Sequence, residues 1–194
     1  MHVVFVEGGI GVGKSTALKG LREVAGAPVV LEDVSGWTLW GPSRFDPARH
    51  SFAFQIEVCM SMYDQIDAAI QKYQNTHTIL YCERSILSSL IFGKMACDKG
   101  YMLESEYNLL EKTARRLHAL LCFGHNTSHI LFHCHPATAL GRIRDRARKG
   151  EESLTLNDIA KLQTAFAESF PKATKISTES ELPNDVSKTL STRF

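Results

Sequence analysis

The sequence predicts an α/β fold: a parallel five-stranded sheet flanked by helices, with an arginine-rich lid. Three observations carry this. Short apolar runs alternate with helical patterns along the 194 residues. A glycine-rich stretch, Gly8-Gly9-Ile10-Gly11-Val12-Gly13-Lys14-Ser15-Thr16, joins the first apolar run to the first helical pattern. Charged residues stand at the ends of later runs, where a parallel sheet opens its ligand crevice.

The first run, His2-Val3-Val4-Phe5-Val6, reads as a strand, and Ala17-Leu18-Lys19-Gly20-Leu21 as helix. The stretch between them fits G-x-x-x-x-G-K-[ST], a pattern that composition alone produces in about one chain in a hundred of this length. Glycines let successive N–H groups turn inward on a phosphate, and a helix N-terminus adds partial positive charge. Lys14 is placed to reach the outer phosphates and the Ser15 hydroxyl to ligate Mg²⁺. The motif implies a nucleoside triphosphate.

Composition narrows the classes. The length fits one domain over residues 1–194, with the lid at about 142–153. The 22 basic and 21 acidic residues nearly cancel, so no global charge argues for nucleic acid or an acidic membrane. Cys59, Cys82, Cys97, Cys122 and Cys134 are scattered without C-x-x-C spacing and read as reduced core residues of a cytoplasmic protein. No apolar segment suggests a signal peptide or membrane span.

Ala27–Leu31 reads as the second strand, ending in Glu32-Asp33 beside the glycine-rich loop. Glu32 is a candidate general base or Mg²⁺ organiser, with helix capping as the plainer role. Trp37 and Trp40 follow in a glycine-marked loop, suited to base stacking or to core filling. Asp33-Val34-Ser35-Gly36 matches D-x-x-G, but it lies close to the loop and no N-K-x-D follows. A long helix is predicted from Asp46 to about Tyr73, with Pro47 in its first turn. Phe52, Ile56, Cys59, Tyr63, Ile66, Ile70 and Tyr73 form its apolar stripe. Gln55, Val58 and Met62 align on another face, an amide between apolar side chains that suits a base edge or a partly exposed surface.

Thr78–Cys82 is the third strand, with Glu83-Arg84-Ser85 at its carboxyl end. A second carboxylate and a fixed cation thus join Glu32 and Lys14, which favours phosphoryl chemistry over a structural ion pair. Helices are predicted from Ile86 to about Cys97 and, capped by Ser105, to about Phe123. His129–Cys134 is the fourth strand. Pro136 opens a helix bearing Arg142, Arg144, Arg146 and Arg148; on an ideal helix the first and third share one face, the second and fourth nearly the opposite one. Thr155–Phe170 makes a further helix and Lys175-Ile176-Ser177 the last strand, and Asn184 caps a final helix.

Over residues 3–170 the chain resembles the deoxyribonucleoside kinase family, which includes mitochondrial thymidine kinase, deoxycytidine kinase and the insect multisubstrate enzyme. The resemblance rests on Gly8–Thr16, Glu32 with Trp37, Phe54-Gln55, Glu83-Arg84-Ser85, and Arg142-Ile143-Arg144-Asp145-Arg146-Ala147-Arg148 followed by Glu151-Glu152-Ser153. It implies a P-loop kinase fold and transfer of the ATP γ-phosphoryl group, with Mg²⁺, to a deoxynucleoside 5′-hydroxyl for salvage. It also implies a homodimer, and the short chain resembles compact viral members, which work in the host cytoplasm. By family role Glu32 is the base and Arg84 holds the reacting oxygen. Ser15 and Glu83 organise Mg²⁺, and Gln55 pairs with the base. Phe92 stacks on the base, Glu152 takes the 3′-hydroxyl, and Arg144, Arg146 and Arg148 are lid cations.

The chain departs from the pattern at Asp33, usually proline, and at Arg44 or Phe45, where a tyrosine usually meets the 3′-hydroxyl. Phe92 comes one residue early, and the lid has one residue more, Lys149 or Gly150. Met62 and Ser89 replace the arginine–aspartate pair of purine-accepting members. With Val58 they resemble the pyrimidine-selective enzymes, implying thymidine and deoxycytidine as substrates. The nearest rival is a thymidylate-type nucleoside monophosphate kinase, whose acceptor phosphate Glu32 would repel. A nucleotide-dependent binding protein would need no acceptor site at all.

Overall fold

The apolar run after Met1 forms β1 (His2–Glu7), whose side chains alternate between two cores. Val3 and Phe5 join one cluster with Leu80 and Cys82; Val4 and Val6 join the other with Tyr81, Ile130 and Phe132. Burial on both faces is why the central strands read as continuous apolar runs rather than alternating ones. In the computed structural model, which describes residues 1–179, five parallel strands lie in the order β2-β3-β1-β4-β5. These are β2 (Val29–Val30), β3 (Ile79–Glu83), β4 (Asn126–His133) and β5 (Thr174–Ser177) around β1.

Helices α1 (Lys14–Ala25) and α6 (Pro136–Arg146) cover one face. On the other lie α3 (Pro47–Tyr73), α4 (Ser88–Asp98) and α5 (Glu104–Cys122), with short α2 (Trp40–Phe45) against α3. Helix α7 (Leu156–Ser169) packs on α6 and α4, and its Leu162 and Phe166 form a third cluster with Ile91 and Leu131. Because β2 and β3 lie on one side of β1 and β4 and β5 on the other, the strand order reverses there, and the crevice opens above its carboxyl end. Among the described residues no helix is long and apolar enough to cross a membrane.

Several elements differ from the sequence expectation. Only Val29–Val30 pair in β2, because the Glu32 N–H turns to the Glu83 carboxylate, 3.4 Å away, instead of continuing the ladder. Asp33-Val34-Ser35-Gly36 is a capped turn: Asp33 accepts from the Ser35 hydroxyl at 2.6 Å and from Gly36 N–H at 3.2 Å. Helix α2 occupies a stretch that reads as loop because Gly41 and Pro42 weaken its intrinsic preference. Packing of Trp40 against Trp37 and Phe54 compensates. Helix α4 starts at Ser88, two residues late, after i→i+3 bonds at Ser88, Ser89 and Leu90. Leu103, not Ser105, caps α5, with the Glu106 carboxylate reaching back to its N–H at 2.8 Å. Strand β4 begins at Asn126, before its apolar segment, since Asn126 and Thr127 are exposed yet paired to β1. The helix expected at Asn184 lies outside the described residues.

Candidate active site

Between β1 and α1 the glycine-rich loop depends on backbone conformations closed to other residues. Gly8 sits at φ 136°, and a Cβ there would lie 2.6 Å from the Phe132 carbonyl oxygen. Gly13, at φ 91°, precedes the first residue of α1, so the helix N-terminus faces the loop. Lys14 is buried and donates to the Gly8 and Gly9 carbonyls at 3.1 and 2.8 Å. Burial, then the neighbouring Arg84 charge, lowers its pKa to about 7. Val12 points into the core, whereas Ile10, Gly11, Gly13, Lys14, Ser15 and Thr16 line a cleft of about 1030 Å³.

The carboxyl ends of β2 and β3 bring charges to the same cleft. Glu32, just beyond β2, receives Arg84 Nη1 at 3.0 and 3.3 Å on its two oxygens. Arg84 follows β3 at φ 68°, a left-handed conformation that is uncommon for a residue with a side chain. Its Nη2 reaches the Gly8 carbonyl at 3.4 Å, and its guanidinium lies 4.9 Å from the centre of the Phe92 ring. The Ser15 hydroxyl donates to Glu83 Oε1 at 2.7 Å. Hydroxyl and carboxylate are hard oxygen donors that fit Mg²⁺, which needs few protein ligands when phosphates supply others. Among the described residues no group of three or more His, Cys, Asp or Glu gathers as a metal cage.

On the opposite wall Trp37, Trp40 and Phe54 form an aromatic cluster, the Trp37 and Phe54 centroids 5.6 Å apart and edge-on. Gln55 is buried beside it, lines the cleft, and leaves Oε1 without a hydrogen-bond partner among the described residues. A buried amide oxygen left so favours a ligand donor at that point. Val58 lines the cleft as well, but Met62 and Ser89 are buried behind its surface.

Helix α6 ends at Arg146, and Ala147 at φ 48° breaks the spiral. Arg148 therefore leaves the face opposite Arg142 and Arg146 and lines the cleft with both, while Arg144 stays exposed outside it. Arg142, Arg144 and Arg146 keep the ideal-helix division expected of them, and Arg148 alone departs from it. Arg142 donates to the Thr178 carbonyl at 2.8 Å. The carboxylate brought into the cleft is Glu151, not Glu152. It is buried and paired with Arg146 at 2.7 Å and Arg148 at 3.7 Å, whereas Glu152 is exposed and accepts from Gly150 N–H. Gly8 and Gly9 sit below the cleft surface, their carbonyls serving Lys14.

Arg44 and Trp40 line the cleft as well, together with Tyr101, which carried little sequence signal. Arg44 stacks over Trp40 at 4.2 Å, and Trp40 Nε1 donates to the Lys149 carbonyl at 3.1 Å, joining α2 to the lid turn. Tyr101 reaches the rim because Gly100, at φ 73°, turns the chain back and the Tyr101 N–H bonds the Ala96 carbonyl at 2.8 Å. A glycine stop followed by an aromatic was the only hint of it.

Lys14 yields a prediction. Its pKa of about 7 means that much of it is neutral at pH 8, and phosphate charge at the loop favours the ammonium. ATP binding at pH 8 should therefore take up about half a proton or more, falling toward none at pH 6. Calorimetry in buffers of different ionisation enthalpy measures this; no uptake at pH 8 would mean that Lys14 is already charged.

The deoxynucleoside kinase family profile matches residues 4–192. A deoxynucleoside kinase homologue of Frog virus 3 (isolate Goorha) is 30% identical over 165 residues, covering 84% of this chain and 80% of that protein. The deoxyadenosine kinase of Dictyostelium discoideum is 25% identical over 167 residues, 85% of this chain and 65% of that one. Among solved structures, deoxyadenosine kinase from M. mycoides with the products dCMP and dCDP superposes with a TM-score of 0.78 at 18% identity, covering 100% of this chain and 98% of the other. The same enzyme with bound dCTP gives 0.77 at 19% identity, covering 100% of both. With sequence match and sheet order in agreement, this chain belongs to the deoxynucleoside kinase family.

Proposed function

We propose that the chain transfers the γ-phosphoryl group of ATP to the 5′-hydroxyl of a deoxynucleoside, preferring thymidine and deoxycytidine, in nucleotide salvage in the cytoplasm. The observation that carries this is the Glu32–Arg84 pair, 3.0 Å apart at the mouth of the glycine-rich loop, lining one cleft with Gln55, whose buried Oε1 has no partner among the described residues. Phosphoryl transfer needs positioning and charge stabilisation more than covalent help. Glu32 accepts the 5′-hydroxyl proton, and Arg84, which touches both Glu32 and the loop, holds the oxygen that attacks. Lys14, Arg142, Arg146 and Arg148 bring positive charge to the transferring group. Ser15 and Glu83 would hold Mg²⁺, whose chemistry is to neutralise phosphate charge. Gln55 offers a donor and an acceptor, so it pairs with thymine or cytosine, with Val58 as the apolar wall and Trp37 and Phe92 enclosing the ring.

Catalytic efficiency on the four deoxynucleosides and thymidine monophosphate tests the substrate reading. Thymidine and deoxycytidine should exceed either purine by about ten- to a hundredfold, the cost of an unmatched buried amide. A purine within threefold of thymidine would sink the pyrimidine assignment, and a better rate on the monophosphate would favour the thymidylate-type kinase. Glu32→Gln keeps shape and removes the base, so turnover should fall about a hundredfold with ATP affinity retained. Near-normal turnover would return Glu32 to a structural role. The homodimer is proposed to form through α3 and α5, which carry exposed Met60, Leu109 and Leu120. Light scattering should give twice the 21.6 kDa chain mass; a monomer at assay concentration would count against it.

A further inference from the structure

Glu7 is a fully buried carboxylate that the transfer chemistry does not use. It ends β1, one residue before the glycine-rich loop begins. Its Oε1 accepts the Ser85 N–H at 3.0 Å and faces His129 Nδ1 at 3.2 Å, and its Oε2 accepts the Ser88 hydroxyl at 2.5 Å. His129 is itself fixed between rings, stacked on Phe5 at 5.2 Å and Phe170 at 4.9 Å. Burial pushes the Glu7 carboxyl up, but the bond to His129, its charge, and the donors Ser85 and Ser88 outweigh this and hold it below its ordinary value.

These bonds bracket Arg84. The Arg84 N–H is tied to the Val6 carbonyl at 3.0 Å, and the next N–H, that of Ser85, to Glu7. Both peptide groups flanking the Arg84 Cα are thus pinned to consecutive residues of β1. Between them Arg84 holds φ 68°, a conformation that side-chain-bearing residues adopt only when their surroundings impose it. The Ser88 bond closes the turn from its far side, where α4 starts. That backbone setting aims the guanidinium at Glu32 and at the Gly8 carbonyl.

We infer that Glu7 is a positioning residue for the phosphoryl transfer: it holds the Arg84 backbone in its left-handed setting and so keeps the guanidinium on the reacting oxygen. The inference rests on the kinase reading, in which Arg84 touches the reacting group. A carboxylate suits the task because three donors converge on it; Glu7→Gln keeps the shape but turns one acceptor into a donor. A purely structural Glu7 would lower stability without altering what Arg84 does.

A double-mutant cycle separates these possibilities. Glu7→Gln should lower kcat about tenfold, with KM for ATP within about twofold, since slight misplacement of a catalytic group costs rate rather than ground-state binding. In an Arg84→Lys background, where the guanidinium fork is already lost, the same change should cost less than about twofold. An unchanged kcat in Glu7→Gln, or an equal fall in both backgrounds, overturns the inference. Should circular dichroism show that Glu7→Gln does not fold, Ser88→Ala carries the same cycle. A fall of about threefold that disappears with Arg84→Lys supports it, and any other pattern overturns it. A wild-type chain that transfers phosphate to no deoxynucleoside would instead sink the kinase reading beneath it.

Discussion

The site depends on holding one guanidinium still. Arg84 lies among a carboxylate, a loop carbonyl and two aromatic rings, with Glu32 at 3.0 Å and the Phe92 and Phe166 centres at 4.9 and 5.7 Å. The rings make cation–π contacts with the guanidinium while Nη1 and Nη2 reach oxygens, so the charge is directed rather than spread. Its backbone lies in the left-handed region, which costs about 1–3 kcal/mol and persists only where other bonds over-determine it. The hydrogen bonds of Val6 and Glu7 to the flanking N–H groups supply that constraint, and they come from the strand that leads into the glycine-rich loop. The loop and the Arg84 guanidinium are therefore set from the same two residues.

The parallel sheet explains why the charges meet. β1 is central, β3 pairs with it from His2↔Ile79 to Val6↔Glu83, and β2 pairs with β3 on the outer side. This register brings the ends of β1 and β3 level, so Glu83, Arg84 and Gly8 emerge together, and Glu32 follows from the shorter β2. Three of the cleft's cations have a nearby anion: Arg84 meets Glu32, and Arg146 and Arg148 meet Glu151. Lys14 instead bonds loop carbonyls, and burial with Arg84 nearby depresses its pKa to about 7. A preorganised field of this kind stabilises developing charge without reorganising during reaction.

What was legible in the sequence follows local rules. The glycine spacing, the strand-end charges and the apolar runs place β1, the loop, Glu32, Glu83 and Arg84 correctly, because each is fixed by a few neighbouring residues. The limits of α3 were legible for the same reason, with Asp46 as cap, accepting from the Arg49 N–H at 3.2 Å, and Pro47 in the first turn. Helix α2 was not, since its stability lies in the contacts of Trp40 with Trp37 and Phe54 rather than in its own Gly41 and Pro42. Nor was the lid. A single left-handed residue, Ala147, moves Arg148 across the helix and brings Glu151 rather than Glu152 into the cleft. Nothing in the residue type announces that break, which rests on bonds from the Ala147 N–H to the Ile143 and Arg144 carbonyls at 3.1 Å.

The face of α3 along the cleft shows a further limit of periodicity. Gln55, Val58 and Met62 do share a helix face, as their spacing requires, since seven residues turn an α-helix almost twice. Seven residues also advance it by about 10 Å, and periodicity is silent on which end of the face meets the ligand. Gln55 and Val58 lie where α3 passes the ends of β2 and β3; Met62 is deeper, in the core with Cys59 and Ile66. Ser89 is equally withdrawn, in the first turn of α4. This wall of the cleft is therefore made by Phe54, Gln55 and Val58, with Trp37 beside them, while Met62 and Ser89 act on its shape only through packing behind it.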